Sequence, residues 1–361
     1  MDRHDVQETV TAEQIAHIHQ EDLKIQGEFG CRGMTYWFDD KRKTAFCLIE
    51  APDAESIQKM HNKAHGQVPH SIIEVESGVV ESFLGRIQDP EKARNAALNI
   101  INDPAFRTIM VIYLSHVSLN GDSGSHKTSI ENINQSIRKS IQSHAGNIVR
   151  QSDDYYLVSF KSVTNAVQSA LEIQQMAKEL VKIEKKGNIK IGLSAGVPVT
   201  EKKLIFEDTI KLAERIAALV KGEIVVSAEV KELYKTENEN NFIKGKGITS
   251  LEKPDEKFIT LLMDYTDKVW NDANLKVDHF CKPLGRSKSQ LYRKMILLTG
   301  QSPNTFIKDY RLNEALKCIQ KRVGNISEIA FTTGFSSPSY FTKCFKKKFG
   351  LIPAEYINSS R

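Results

Sequence analysis

Residues 325–349 read NISEIAFTTGFSSPSYFTKCFKKKF, two short helices around a glycine. Asn325 and Glu328 form a capping box that opens one helix over Ile326–Thr333, Gly334 turns the chain, and Ser336 or Ser337 with Pro338 opens the next. Ile329, Phe335, Phe341, Phe345 and Phe349 recur at helical spacing and supply a core. The opposite face carries Ser339, Tyr340, Thr342, Lys343, Lys346 and Lys347, side chains suited to base edges and phosphates. The same pattern occurs upstream: a helix over Val277–Leu284, a Gly285-Arg286 turn, and Ser287 capping a helix over Lys288–Leu298 ahead of Gly300. Pro283 falls inside the first of these helices, where it lacks an N–H and its ring disturbs the preceding turn.

Charge singles out the same region. Residues 258–361 hold 17 Lys and Arg against 8 Asp and Glu, a net of +9, whereas the first 257 residues hold 33 against 37, a net of −4. The chain's overall +5 therefore hides a basic C-terminal part that suits a polyanion. No apolar run approaches the roughly 18 residues that a membrane span needs, and the polar start lacks the features of a secretory signal, so a cytoplasmic protein with no membrane partner is expected. Five scattered cysteines, none in a CxxC pair, indicate reduced thiols rather than a disulfide framework or zinc ribbon.

The segments LGRSKSQLYRKMILLTGQSPNTFIKDYRLNEAL (284–316) and NISEIAFTTGFSSPSYFTKCFKKKFGLIPAEYI (325–357) strongly resemble the AraC/XylS family of bacterial transcription regulators. The resemblance implies two helix-turn-helix units held by a long helix, about Pro303–Lys321, so that two recognition helices enter successive major grooves about 34 Å apart. It implies DNA contacts from Ser287, Lys288, Ser289, Gln290, Tyr292, Arg293 and Lys294 in the first unit, and from Ser337, Ser339, Tyr340, Thr342, Lys343 and Lys346 in the second. Gln290 suits adenine, while Arg293 and Lys343 suit guanine or phosphate.

Six of the ten histidines fall in the first 70 residues. The order of apolar segments there is βαββαβ, with helices from Thr11 and about Asp53 and a last strand Ser71–Val75, a ferredoxin-like sandwich. His61 and His65 lie four apart on one helix face, a spacing that lets both reach one metal, whereas hydrogen-bonded packing is the plainer reading of His19 and His61, and His17 and His70 read as solvated. MDRHD, AHIHQEDLKIQGEFG, TYWFD, FCLIEAPD and HNKAHG resemble a small ferredoxin-like family that includes nickel-binding proteins. The resemblance implies His4, His19, His61 and His65 as ligands; imidazole suits nickel, zinc, copper or iron, which leaves the metal open.

Residues 108–230 resemble the class III nucleotidyl cyclase domain, through TIMVIYLSHVS, HAGNIVRQSDDYYLVSF, AVQSALEIQQM, IKIGLSAG and EDTIKLAERIAALVKGEIVVS. Active members hold two metals on two aspartates. Here those positions read Ser115 and Asp153, with Asp122 and Asp153 otherwise solvated loop residues, and the helical asparagine and arginine read Lys211 and Arg215. Asp153 and Arg215 are thus a residual site, and no catalysis is expected.

The expected protein is multidomain α+β: a ferredoxin-like βαββαβ domain at 1–77, a connecting segment at 78–104, a cyclase-like α+β sandwich for sensing or dimerisation at 105–234, a linker at 235–257, and an all-α double helix-turn-helix domain at 258–361. Its expected function is sequence-specific binding of double-stranded DNA as a homodimeric regulator, with RNA polymerase and a small-molecule or metal effector as further partners. The alternatives are a nucleotidyl cyclase fused to a DNA-binding tail and a nickel- or metal-handling protein.

Overall fold

A computed structural model describes residues 1–90, 98–115, 123–184, 188–238 and 247–359. The N-terminal strands β1 (Asp2–Asp5), β2 (Arg32–Asp39), β3 (Thr44–Glu50) and β4 (Ser71–Ile72) form an antiparallel sheet in the order β2-β3-β1-β4, with α1 (Ala12–Ile25) and α2 (Ala54–Ala64) interleaved as βαββαβ. Alternation along the strands divides the side chains between two faces. Tyr36, Phe38, Ala45 and Cys47 pack with Ile15 and Ala16 of α1, while Trp37, Phe46 and Leu48 enter a different core. Strand β4 is shorter than the Ser71–Val75 read from sequence, because the chain leaves the sheet edge to begin α3 (Ser77–Leu84). That helix is the described regular part of the connecting segment; residues 91–97 lie outside the described residues.

The middle sheet runs β10-β9-β8-β5-β7-β6, built from β5 (Arg107–Ser115), β6 (Asn147–Gln151), β7 (Tyr155–Phe160), β8 (Asn188–Gly196), β9 (Ile224–Val226) and β10 (Ile248–Ser250). Met110, Ile112 and Leu114 face a core shared with α4 (Ser123–Ser143), α5 (Val163–Glu184) and α7 (Ala228–Glu237). The intervening Ile109 and Val111 face the opposite way, onto α3, α6 (Glu207–Leu219) and the Trp37 face of the N-terminal sheet. Arg107 fastens this junction: its guanidinium is buried and donates to the carbonyls of Phe83, Leu84, Pro104 and Phe106 at 2.7–3.1 Å.

One local expectation changes. Residues 248–257, read as linker, supply β10, which pairs parallel to β9, and the first turn of α8 (Lys253–Val269). Asp122, expected as a solvated loop residue, lies outside the described residues, and α4 begins at Ser123.

The C-terminal helices are α8, α9 (Asp278–Cys281), α10 (Lys288–Thr299), α11 (Pro303–Gln320), α12 (Ile326–Thr332), α13 (Pro338–Phe349) and α14 (Pro353–Ser359). The expected helix Val277–Leu284 is reduced to the single turn α9, because Pro283 cannot donate to a helix continuing through it. Phe306 and Ile307 at the start of α11 belong to the core of the first unit, and Leu312, Ala315 and Ile319 at its end to that of the second. At 18 residues α11 is about 27 Å long, a rigid spacer between the two units. Among the described residues no helix is long and apolar enough to cross a membrane.

Candidate DNA interface and metal centre

In each unit a capping box and a glycine turn set the helices, the box opening the second helix of the first unit and the first helix of the second. Ser287 Oγ accepts from the Gln290 N–H while Gln290 Oε1 accepts from the Ser287 N–H, and Asn325 and Glu328 make the same reciprocal pair at α12. Gly334 turns the second unit at φ +81°; a Cβ there would lie 2.8 Å from Arg311 Nε, so glycine alone fits the turn. Arg311 in turn donates to the Trp270 and Asp272 carbonyls, tying α11 to the end of α8.

The residues expected at DNA divide into two groups. Ser289, Arg293, Ser339, Tyr340, Lys343 and Lys346 are exposed on α10 and α13, as is Lys288, which pairs with Asp278 at 3.0 Å. Several others are occupied within the fold. Lys294 turns inward to an ion pair with Asp255 of α8, which corrects its reading as a DNA-facing side chain. Gln290 and Ser287 serve the capping box, and Ser337 Oγ caps α13 by accepting the Tyr340 N–H. The Tyr292 hydroxyl accepts from Asn304, and Thr342 Oγ1 donates to the Pro338 carbonyl. The sequence reading passed over Ile296 and Leu297, which are 47% and 69% exposed on α10. They lie three and four residues beyond Arg293, a spacing that shares its face and was available as a signal.

The four N-terminal histidines meet between the sheet and its two helices. His4 projects from β1 beside Asp2, His19 from α1, His61 from α2, and His65 from the C-cap just past the end of α2 rather than from the helix face expected; His4, His19 and His61 line one small cavity with Asp22 and Cys47. The His4 and His61 ring centroids are 4.9 Å apart, and those of His61 and His65 are 5.3 Å apart. His61 Nε2 lies 2.9 Å from Asp2 Oδ2, and its Nδ1 lies 3.0 Å from Asp22 Oδ1. His65 Nε2 also reaches Asp22 Oδ1, at 3.1 Å. His17 and His70 are exposed.

Asp2, Asp22 and Cys47 were not singled out from sequence. Two were legible by spacing: Asp2 alternates with His4 on β1, and Asp22 follows His19 by three on α1. Cys47 is known only through the register that sets it opposite Asp2.

Charge within the cluster is balanced by geometry. Burial disfavours the His61 cation, but the flanking Asp2 and Asp22 carboxylates outweigh it and raise its pKa to about 9. Burial likewise opposes ionisation of Asp2, yet its contacts with His4 and His61 hold its carboxyl far below the usual range. Burial lowers the His19 pKa and raises the Cys47 thiol well above its ordinary value. Two groupings bring three donor atoms within 4.8 Å of one another: Asp2, His4 and Cys47, and Asp22, His61 and His65. His4 Nε2 is buried and makes no hydrogen bond, its contact with Asp2 Oδ1 being long at 3.7 Å, which leaves its lone pair open to an ion. Imidazole, carboxylate and thiol together suit a divalent transition metal.

The residual cyclase-like positions are used differently. Asp153 is exposed in the β6–β7 turn, whereas Arg215 on α6 turns to α8, with Nη2 2.6 Å from Asp264 and 3.7 Å from Asp267. Lys211 pairs with Glu207 at 2.5 Å. Nothing is described of the Ser115 side chain.

Residues 280–359 match a family model described as a helix-turn-helix domain, and residues 1–75 match one described as nickel responsive protein SCO4226-like. The probable transcription factor PqrA of Proteus vulgaris is 35% identical over 85 residues, 24% of this chain and 70% of that protein. Histidine kinase P4 of Formosa agariphila is 41% identical over 90 residues, which are 24% of this chain and 7% of the kinase. The chain spans about a third of the length of the next curated relatives it matches. The crystal structure of SCO4226 from Streptomyces coelicolor A3(2) is 32% identical, covering 20% of this chain and 90% of that one, with a TM-score of 0.20. With an SCO4226-like domain at its start and a helix-turn-helix match that covers most of PqrA, the chain belongs to the AraC-type helix-turn-helix family.

Proposed function

We propose that this protein is a transcription regulator that binds a specific double-stranded DNA site through α10 and α13 and answers to a divalent transition metal, nickel foremost, in its N-terminal domain. The observation that carries the reading is the pair of capped, glycine-turned units at the two ends of α11, each presenting polar and cationic side chains outward. Arg293, Lys343 and Lys346 would hold phosphates and set register, while Ser289, Ser339 and Tyr340 meet base edges. Selection of fragments from genomic DNA by the purified protein should return a discrete motif with two half-sites about one helical turn apart; uniform, salt-sensitive binding without a motif would overturn the assignment.

In the N-terminal domain His4, His61 and His65, with Asp2, Asp22 and Cys47, would hold the metal, and His19 lines the same cavity. A bound cation supplies charge neutralisation for Asp2 and Asp22, the role that the His61 proton fills without it. Metal and proton therefore compete for His61. Reduction of DNA affinity or its increase by nickel, measured on one operator, tests whether this domain governs the other; equal affinity with and without metal contradicts the coupling.

The middle domain is read as non-catalytic, a sensing or dimerisation module. Serine and lysine at positions 115 and 211 and the engagement of Arg215 with α8 support this. Formation of a cyclic nucleotide from ATP or GTP with Mn²⁺, abolished by Asp153→Ala, would contradict it. A homodimer, contact with RNA polymerase and a cytoplasmic site of action belong to the same proposal.

A further inference from the structure

A cleft of about 660 Å³ separates the middle domain from α8. Its floor is the small-residue end of β8, Ser194 to Gly196, and the start of α7 at Ser227. Because β8 and β9 are parallel, the cleft lies at the carboxyl end of both strands. One wall carries Lys202 and Lys211; the facing wall, α8, carries Lys253 and Lys257, four residues apart on one helical face. All four lysines are exposed, and only Lys211 makes an ion pair, with Glu207, among the contacts described. The carboxylates lining the cleft are already engaged in part: Glu256 accepts the Ala228 N–H and is pushed up by burial, Asp264 holds Arg215, and Asp208 accepts from Thr200; Glu229 is the fourth.

We propose that this cleft binds a small polyanion, a phosphate- or carboxylate-rich metabolite, that bridges Lys202 and Lys211 on the middle domain to Lys253 and Lys257 on α8. Like charges from two walls repel across a water-filled gap, and an anion between them turns that repulsion into attraction. The volume suits a small ligand rather than a macromolecule. Helix α8 shares its core with α10: Phe258, Ile259 and Leu262 pack in the cluster that holds Leu291, Met295 and Leu298. A ligand on α8 therefore acts on the helix carrying the first reading face, and does so apart from the metal.

The test is thermal unfolding and calorimetric titration of the full chain with inorganic pyrophosphate and with citrate, at constant ionic strength. Either probe should bind saturably and raise the transition temperature. Lys253→Ala/Lys257→Ala should weaken binding at least tenfold, whereas Lys343→Ala/Lys346→Ala, on the proposed DNA face, should leave it unchanged. Pyrophosphate alone would mark a phosphate ligand and citrate alone a carboxylate ligand. Equal binding by the α8 variant, loss in the α13 variant, or a stabilisation that rises without saturation would overturn the proposal. Both variants change exposed side chains, and an unaltered far-ultraviolet spectrum verifies folding. Since neither readout uses DNA, failure here leaves the regulator assignment untouched.

Discussion

Asp22 projects from α1 and accepts from His61 of α2 and from His65 at that helix's C-cap, and so it fixes the rings that would face a metal. Neutralising it should matter more than its modest place in the sequence suggests. Asp22→Asn is expected to lower nickel affinity by about 10- to 100-fold in equilibrium dialysis, and His61→Ala/His65→Ala to abolish stoichiometric binding, while His17→Ala/His70→Ala binds normally. Arg107 poses a separate question of stability. Its guanidinium satisfies four carbonyls at the junction of α3 and β5, and burial lowers its pKa to about 10. Arg107→Met leaves those acceptors without their donor, and a loss of about 3 kcal/mol in denaturant unfolding is expected. Unchanged stability would show that water replaces the guanidinium.

Helix α10 has two electrically different sides. Arg293 is exposed, whereas the adjacent Lys294 is spent on Asp255 of α8. The logarithmic salt dependence of DNA binding should fall by about one in slope for Arg293→Ala and stay unchanged for Lys294→Ala. A fall in both would mean that the Asp255 pair opens on DNA. The caps belong to this scale as well: Asn325→Ala should cost about 1 kcal/mol, since it removes one half of the α12 capping box. The Asn325 box, the Ser287 cap and both glycine turns were legible because a cap is a local contract among four residues; that Gln290 completes a box with Ser287 was not, since it was read as a DNA contact. The inward turn of Lys294 was not, since Asp255 lies 39 positions away in a segment read as linker.

At the scale of the whole chain, cores and domains do not coincide. Ile216, Val220 and Val225 of the middle domain share one core with Phe258, Leu262, Leu291 and Leu298, and the Lys221 N–H donates to the Leu298 carbonyl at 2.7 Å. The second unit has a core of its own around Phe335, Phe341 and Phe345. Calorimetry should therefore show the first unit unfolding with the middle domain and the second apart. Leu262→Ala should lower the former transition by about 2–5 kcal/mol and leave the latter in place, and Phe345→Ala should do the reverse. A single transition shifted equally by both variants would refute this division.

The amino-acid sequence by itself determined most of the order of elements, the two helix-turn-helix units and the clustering of histidines near the start, because helical period, strand alternation, caps and turns depend on residues within a few positions of one another. Tertiary structure alone decided which groups meet. It brought Asp2, Asp22 and Cys47 to the histidines, turned Arg215 and Lys294 to the carboxylates of α8, and set lysines of two domains across one cleft. Such meetings depend on sheet register and on how one element packs against another far along the chain, and neither quantity is written in any short stretch of sequence.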